Sequence, residues 1–356
     1  SWWRSDQDRP TIGRFPPLCF EDDICSIVRD SPIYFPALTG VRALAILMVF
    51  LHHHGPDVPA LQGPVLQAII GQLFSGVVLF FVLSGFLIAD RYFESSTTHF
   101  RSYFIRRIFR IVPLYFVLTA LTFFLQWYRG GYPPHSILVE LIANLTFLRG
   151  WFGSLWATGV LQGWSLTVEM TFYLLAPIIF IMIKWRRTMF FLLPIIFIGT
   201  GVCLVLLTKG SGPLGFMESF HFLFGITFLG RCFEFFVGIT IAMALRGKGD
   251  TSFRHATLVG GVLCILVMGV AGYFDVGYGE VAGVLLNNLL LPIGVGIFYW
   301  GLLTEQSLAR KALSSPIAVF MGTTSFAFYL IHVGVICTAI YALTRNMVIT
   351  FLLLQF

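Results

Sequence analysis

Nine stretches of roughly twenty mostly apolar residues, separated by short polar or basic connections, decide what this chain can fold into. They fall at about residues 37–54, 65–89, 108–127, 163–183, 188–207, 221–245, 256–274, 281–303 and 317–343. A helix of ~20 apolar residues is what a ~30 Å hydrocarbon layer requires, because backbone polar groups there must pair internally. The sequence is 57% apolar and only 11% charged, with 38 phenylalanines among 356 residues, where soluble domains carry about a quarter charged residues. The expected fold is therefore an all-α polytopic membrane protein. The closing run VITFLLLQF reads as the start of a tenth span, in a chain expected to continue.

The net charge of +6 sits in short loops, so it reports orientation and not a nucleic-acid partner. Arg91, Arg101, Arg106, Arg107 and Arg110 follow the second span, and Lys184, Arg186 and Arg187 follow the fourth. Both loops are expected in the cytoplasm, as is the N-terminus. The first span then delivers His52, His53 and His54 to the outer side. Residues 1–34 read as a polar cytoplasmic segment, with a short amphipathic helix around Phe20 to Val28, and 35–356 as the membrane domain. The first thirty residues lack an apolar signal core and an initiating Met, which points to a processed or trimmed start. Residues 137–163 are moderately apolar but broken by Glu140, Asn144 and Arg149. They are expected to form an outward-facing helical hairpin or re-entrant segment. Six scattered cysteines form no C-x-x-C pair and join no histidine at ligand spacing, so neither a disulfide framework nor a metal site is expected.

Ionisable groups inside the spans are candidates for function, because each is costly in lipid and needs a partner. Arg42 and His53 lie eleven residues apart, about three helical turns, on one face and ~16 Å along the axis. Arg42 alone is also explained as an interface anchor; three consecutive histidines are not. Glu169 is either the partner of a catalytic histidine or half of a salt bridge with Arg42 or Arg110, and Tyr173, four residues on, shares its face. Arg106, Arg107 and Arg110 either anchor the loop or bind a polyphosphate through their forked donors. Arg231 and Glu234 are expected to pair with each other. The Ser84-Gly85 pair permits a close helix contact. His332 is placed equally well in a cavity or at an interface. Asp57, Glu140, Arg149, Asp275 and Glu280 are expected near the outer face, in contact with water or a polar acceptor.

Six blocks in order, ALTGVRALAILMVFLHH, GVVLFFVLSGFLI, FRSYFIRRIFRIVPLY, GWSLTVEMTFYLLAP, FEFFVGI and TSFAFYLIH, resemble the membrane acyltransferase 3 family over roughly residues 35 to 343. The resemblance implies about ten transmembrane helices in one bundle. It also implies transfer of an acyl group, usually acetyl, from cytoplasmic acyl-CoA to a hydroxyl of a saccharide, lipid or cell-wall acceptor outside. It casts Arg42, His53 and Glu169 as the catalytic set and places Arg106, Arg107 and Arg110, with Arg42, near the CoA. Ser84, Trp164, Tyr173 and His332 are the candidate substrate contacts. The expected setting is the plasma (inner) membrane. The sequence holds no SGNH-type esterase domain of the kind some members use, so the expectation is that transfer is direct, or that the second domain was removed or belongs to another polypeptide. The competing reading is a proton-coupled transporter or flippase for a glycoconjugate, against which stands the lack of repeated halves.

Overall fold

The computed structural model describes residues 34–93, 100–128, 134–247 and 254–355. The chain divides after Tyr34, and all the described helices belong to the second unit; the amphipathic segment Phe20 to Val28 lies outside the described residues. Every regular element in them is helical: α1 Pro36–His54, α2 Pro64–Gln72, α3 Gly76–Tyr92, α4 Phe100–Tyr128, α5 Pro134–Leu145, α6 Gly163–Trp185, α7 Met189–Thr208, α8 Phe220–Ile226, α9 Phe228–Arg246, α10 Ala256–Tyr273, α11 Val281–Thr304, α12 Leu308–Leu313, α13 Pro316–Ile331, α14 Val335–Thr344 and α15 Met347–Leu353. Among the described residues eight helical stretches are long and apolar enough to cross a membrane, and a ninth is formed if the bent pair α13 and α14 counts as one. These are the nine runs read from the sequence.

Three of the runs are not single rods. The second joins α2 to α3 through a 3-10 turn at Leu73–Ser75. The sixth breaks at Thr227, whose backbone is extended and whose hydroxyl caps α9 by accepting from the Gly230 amide. In the ninth, expected as one continuous helix, α13 and α14 meet at 100°. Gly334 at φ +101° supplies a conformation that side-chain-bearing residues rarely adopt.

The bundle is organised around α3 and α9. A Cβ on Gly85 would strike the backbone of Phe235, and one on Gly238 would strike that of Val82 and Phe86. The two helices therefore approach backbone to backbone, the close contact expected of Ser84-Gly85. Stacked rings of Phe81, Phe172 and Phe235 fill the layer beside them. Arg231 and Glu234 also pair as expected, at 2.8 Å and almost wholly buried.

Of the two forms expected for residues 137–163, a helical hairpin or a re-entrant segment, the two-helix hairpin is not seen. A single helix, α5, is followed by a turn-rich stretch organised by Arg149, a residue expected to meet water or an acceptor but fully buried. Its guanidinium donates to Asn144 Oδ1 and Val160 O, both at 2.7 Å, to Leu161 O at 3.1 Å, and to Trp156 O. Five donors in a rigid fork suit a segment whose carbonyls have no helix to bond to. Burial lowers the Arg149 pKa, an effect that the Tyr115 phenol opposes.

Candidate active site

A cleft of about 70 Å³ opens between α1, α3, α4, α6 and α13. Its wall carries Arg42, Ser84, Arg107, Arg110, Glu169 and Tyr173, so six of the residues singled out in the sequence come together from four helices. Arg107 and Arg110, one helical turn apart, present their guanidinium groups on the same side of α4. Arg107 also lies over the Tyr173 ring, 5.3 Å from its centroid. Three arginines on one cleft wall give it a positive field, and planar forked donors match phosphate oxygens in particular. Arg106 points elsewhere: it is exposed and absent from the wall.

Glu169 is held from two sides. Ser84 on α3 and Tyr173 on α6 both donate hydroxyl hydrogens to its Oε1, and the Tyr173 carbonyl in turn accepts from the Tyr103 phenol at 3.1 Å. Neither arrangement weighed from the sequence is seen, since the described residues include neither a salt bridge from Glu169 to Arg42 or Arg110 nor a contact with His53. Two hydroxyl donors satisfy the carboxylate at the edge of the cleft.

The end of the cleft far from the arginines is closed by Ser165 and Tyr329, whose hydroxyls share a hydrogen bond of 2.8 Å. Behind Tyr329 stands the histidine cluster. The Tyr329 and His332 rings are 5.5 Å apart, and the His332 and His53 rings 5.3 Å. Three of the four imidazoles are tied to backbone carbonyls: His52 through Nδ1 to Ile70 O at 3.2 Å, His54 through Nε2 to His332 O at 2.7 Å, and His332 through Nδ1 to Tyr329 O at 2.7 Å. A carbonyl only accepts, so each of those nitrogens carries the hydrogen. Among the described residues His53 makes ring contacts with His52 and His332 but no hydrogen bond, and it is exposed. Of the three consecutive histidines it is the one left with both nitrogens available, a distinction that spacing alone could not draw.

Trp164, at the start of α6, does not line the cleft. It stands edge-on to Phe81 at 6.4 Å, and the Arg231 guanidinium lies 5.5 Å from its centroid. Phe81 and Tyr278 complete an aromatic box around Arg231, at 5.0 and 5.5 Å. This box was not legible, because its members come from α3, α6, α9 and the loop before α11. Among the described residues no group of three His, Cys, Asp or Glu could hold a metal ion, and Cys203, Cys232, Cys264 and Cys337 are free; Cys19 and Cys25 lie outside them.

A multi-pass helical bundle with a basic cleft on one side of a buried tyrosine and an untied histidine on the other defines a class of membrane protein with a polar site inside it. Residues 35–355 match the acyltransferase domain family over nearly the whole sequence, and the chain belongs to that family. It is similar to nodulation protein 10 of Rhizobium leguminosarum bv. viciae, 37% identical over 136 residues that cover 32% of this chain and 36% of that protein. It is also similar to the putative peptidoglycan O-acetyltransferase YrhL of Bacillus subtilis (strain 168), 26% identical over 85% of this chain and 49% of that protein. A third relative, the peptidoglycan O-acetyltransferase OatA of Listeria monocytogenes, is 27% identical over 49% of this chain and 28% of its own length. The chain thus spans at most about half the length of these relatives. No solved structure matches it.

Proposed function

We propose that this protein is an integral-membrane O-acyltransferase of the plasma (inner) membrane. It takes an acyl group, acetyl in the simplest case, from cytoplasmic acyl-CoA and delivers it to a hydroxyl on an extracytoplasmic saccharide or cell-wall acceptor. One observation carries this reading: the cleft runs from Arg107 and Arg110, past Arg42 and Glu169, to Tyr329, and His332 and His53 stand directly behind that tyrosine. The peptidoglycan O-acetyltransferases among the relatives support the choice of acceptor class.

In this mechanism the phosphates of the donor meet Arg107 and Arg110 electrostatically, and its long thiol-bearing arm lies along the cleft. Glu169, held by Ser84 and Tyr173, keeps the middle of the channel polar and orients the arm. His53 takes the proton of the acceptor hydroxyl. The oxygen adds to the thioester carbonyl, the C–S bond breaks, and the departing thiolate recovers the proton from His53, so that ester and free thiol are the products. Arg42 stabilises negative charge on the donor side. A general base of this kind contributes roughly 100- to 10,000-fold to rate.

The test is release of free CoA from acetyl-CoA by detergent-purified protein, with chitotetraose as acceptor. Wild type is expected to turn over and H53A to fall to background while still folding. Equal rates for the two would discard the assignment.

A further inference from the structure

Neutral imidazole has one N–H and one lone pair, so a histidine that accepts a proton at one nitrogen must place its existing hydrogen at the other. A base is most effective when a fixed acceptor holds that hydrogen and so selects the tautomer. Among the described residues Glu169 does not do this for His53, since its carboxylate is engaged by Ser84 and Tyr173.

We propose that His332 is the positioning residue of the site, its Nε2 accepting the single N–H of neutral His53 and so fixing which His53 nitrogen faces the acceptor hydroxyl; this rests on the acyltransferase reading above. His332 is 1% exposed. Its Nδ1–H is given to Tyr329 O at 2.7 Å, which leaves Nε2 as a bare lone pair. That atom is buried and, among the described residues, has no hydrogen-bond partner, an arrangement that costs stability unless something uses it. The His53 ring centroid is 5.3 Å away. Two imidazoles joined by an N–H···N bond of ~2.9 Å have centroids just over 5 Å apart, because each nitrogen lies about 1.1 Å from its ring centre. A rotation of His53 about its side-chain torsions therefore completes the bond without moving either helix.

His52 has a free Nε2 by the same tautomer argument, and its ring is also close, at 5.1 Å. Successive residues on a helix point about 100° apart, however, and the His52 ring turns to Phe74 at 5.8 Å.

The backbone around His332 is held for this purpose. The 100° break between α13 and α14 frees carbonyls that a continuous helix would bond internally. Side chains from two other elements take them: Gln162 donates to Val333 O at 3.0 Å and His54 to His332 O at 2.7 Å. The end of α1 is thus pinned to the break itself. The same bend that interrupts the ninth span sets the His332 ring beside the end of the first.

The experiment measures acetyl-CoA turnover with chitotetraose on the full chain in lipid nanodiscs. Asn at position 332 keeps an N–H donor near the place of Nδ1 and removes Nε2, whereas Gln can place a carbonyl oxygen near Nε2. H332N is expected to lower kcat on the order of 100-fold, the low end of what a positioned general base contributes, with KM for acetyl-CoA unchanged. H332Q is expected to recover at least a tenth of the wild-type kcat, and H52N to stay within about threefold of it. The unchanged KM reports that the H332N protein is folded, and H332Q carries the test should H332N not insert. An H332N kcat within threefold of wild type, or an H332Q variant that folds but is no better than H332N, would overturn the proposal while a dead H53A leaves the acyltransferase reading standing. Equal CoA release by wild type and H53A would overturn both.

Discussion

Tyr173 donates its phenol to the carboxylate of Glu169, one helical turn earlier on α6. Ser84, from α3, donates to the same oxygen, so two helices are joined at the carboxylate. Removing one donor leaves the other in place. Y173F is expected to lower kcat about tenfold and stability by about 1 kcal/mol, the net worth of one hydrogen bond. Y173F/S84A should lose more than the sum of the single changes, because the second removal strands the carboxylate. Steady-state kinetics and detergent thermal melts on the four proteins check this.

Arg107 and Arg110 line the cleft, and in the proposed mechanism they hold the donor phosphates. R107A and R110A should each raise KM for acetyl-CoA roughly tenfold, the ~1.4 kcal/mol typical of a charge-assisted hydrogen bond, with kcat little changed. R106A should leave KM alone, since Arg106 is not part of the wall. Rising salt should weaken donor binding less in the two variants than in wild type.

Arg231 and Glu234 were legible as a pair from their spacing, and they meet at 2.8 Å. Breaking a buried pair leaves an uncompensated charge, so E234Q is expected to destabilise by ~3–5 kcal/mol. A double replacement, R231M/E234L, should recover most of that, read from SDS unfolding midpoints.

Other elements were legible for the same local reason, and the remainder were not because they are tertiary. Hydropathy alone marks the spans, and Glu169 with Tyr173 follows from a four-residue spacing. The bend after Ile331 lies in an apolar stretch without proline, and Gly334 is its one local sign. No pattern in residues 143–162 announces that Arg149 turns inward, since that depends on carbonyls brought near by a fold not written in the local composition. The meeting of Ser84 with Glu169, and of His332 with His53, likewise joins residues far apart in sequence.

Glu305, just past α11, caps the start of α10. Its carboxylate accepts from the Ala256 amide at 2.5 Å, the Thr257 amide at 3.1 Å and the Thr257 hydroxyl at 2.6 Å. Burial pushes its pKa up, but those hydrogen bonds outweigh it and hold the pKa below the ordinary 4.5. A folded value below the unfolded one stabilises the fold above pH 4.5, and that contribution disappears as pH falls through the lowered value. E305Q should therefore cost ~1 kcal/mol at pH 7, the worth of an N-terminal cap, and close to nothing in strong acid. Thermal melts of both proteins from pH 7 to pH 3 follow the convergence.

In the proposed mechanism an acyl group passes from the arginine-lined cleft, beyond the Ser165–Tyr329 pair that closes it, to His53 behind that pair. Reconstitution into sealed liposomes with chitotetraose trapped inside and [14C]acetyl-CoA added outside tests it directly. In the vesicles oriented with Arg107 and Arg110 outward, labelled acetyl-chitotetraose should accumulate within the lumen, and H53A vesicles should yield none. Label reaching the trapped sugar at the same rate with H53A, or product forming only when donor and acceptor share a compartment, would contradict the mechanism.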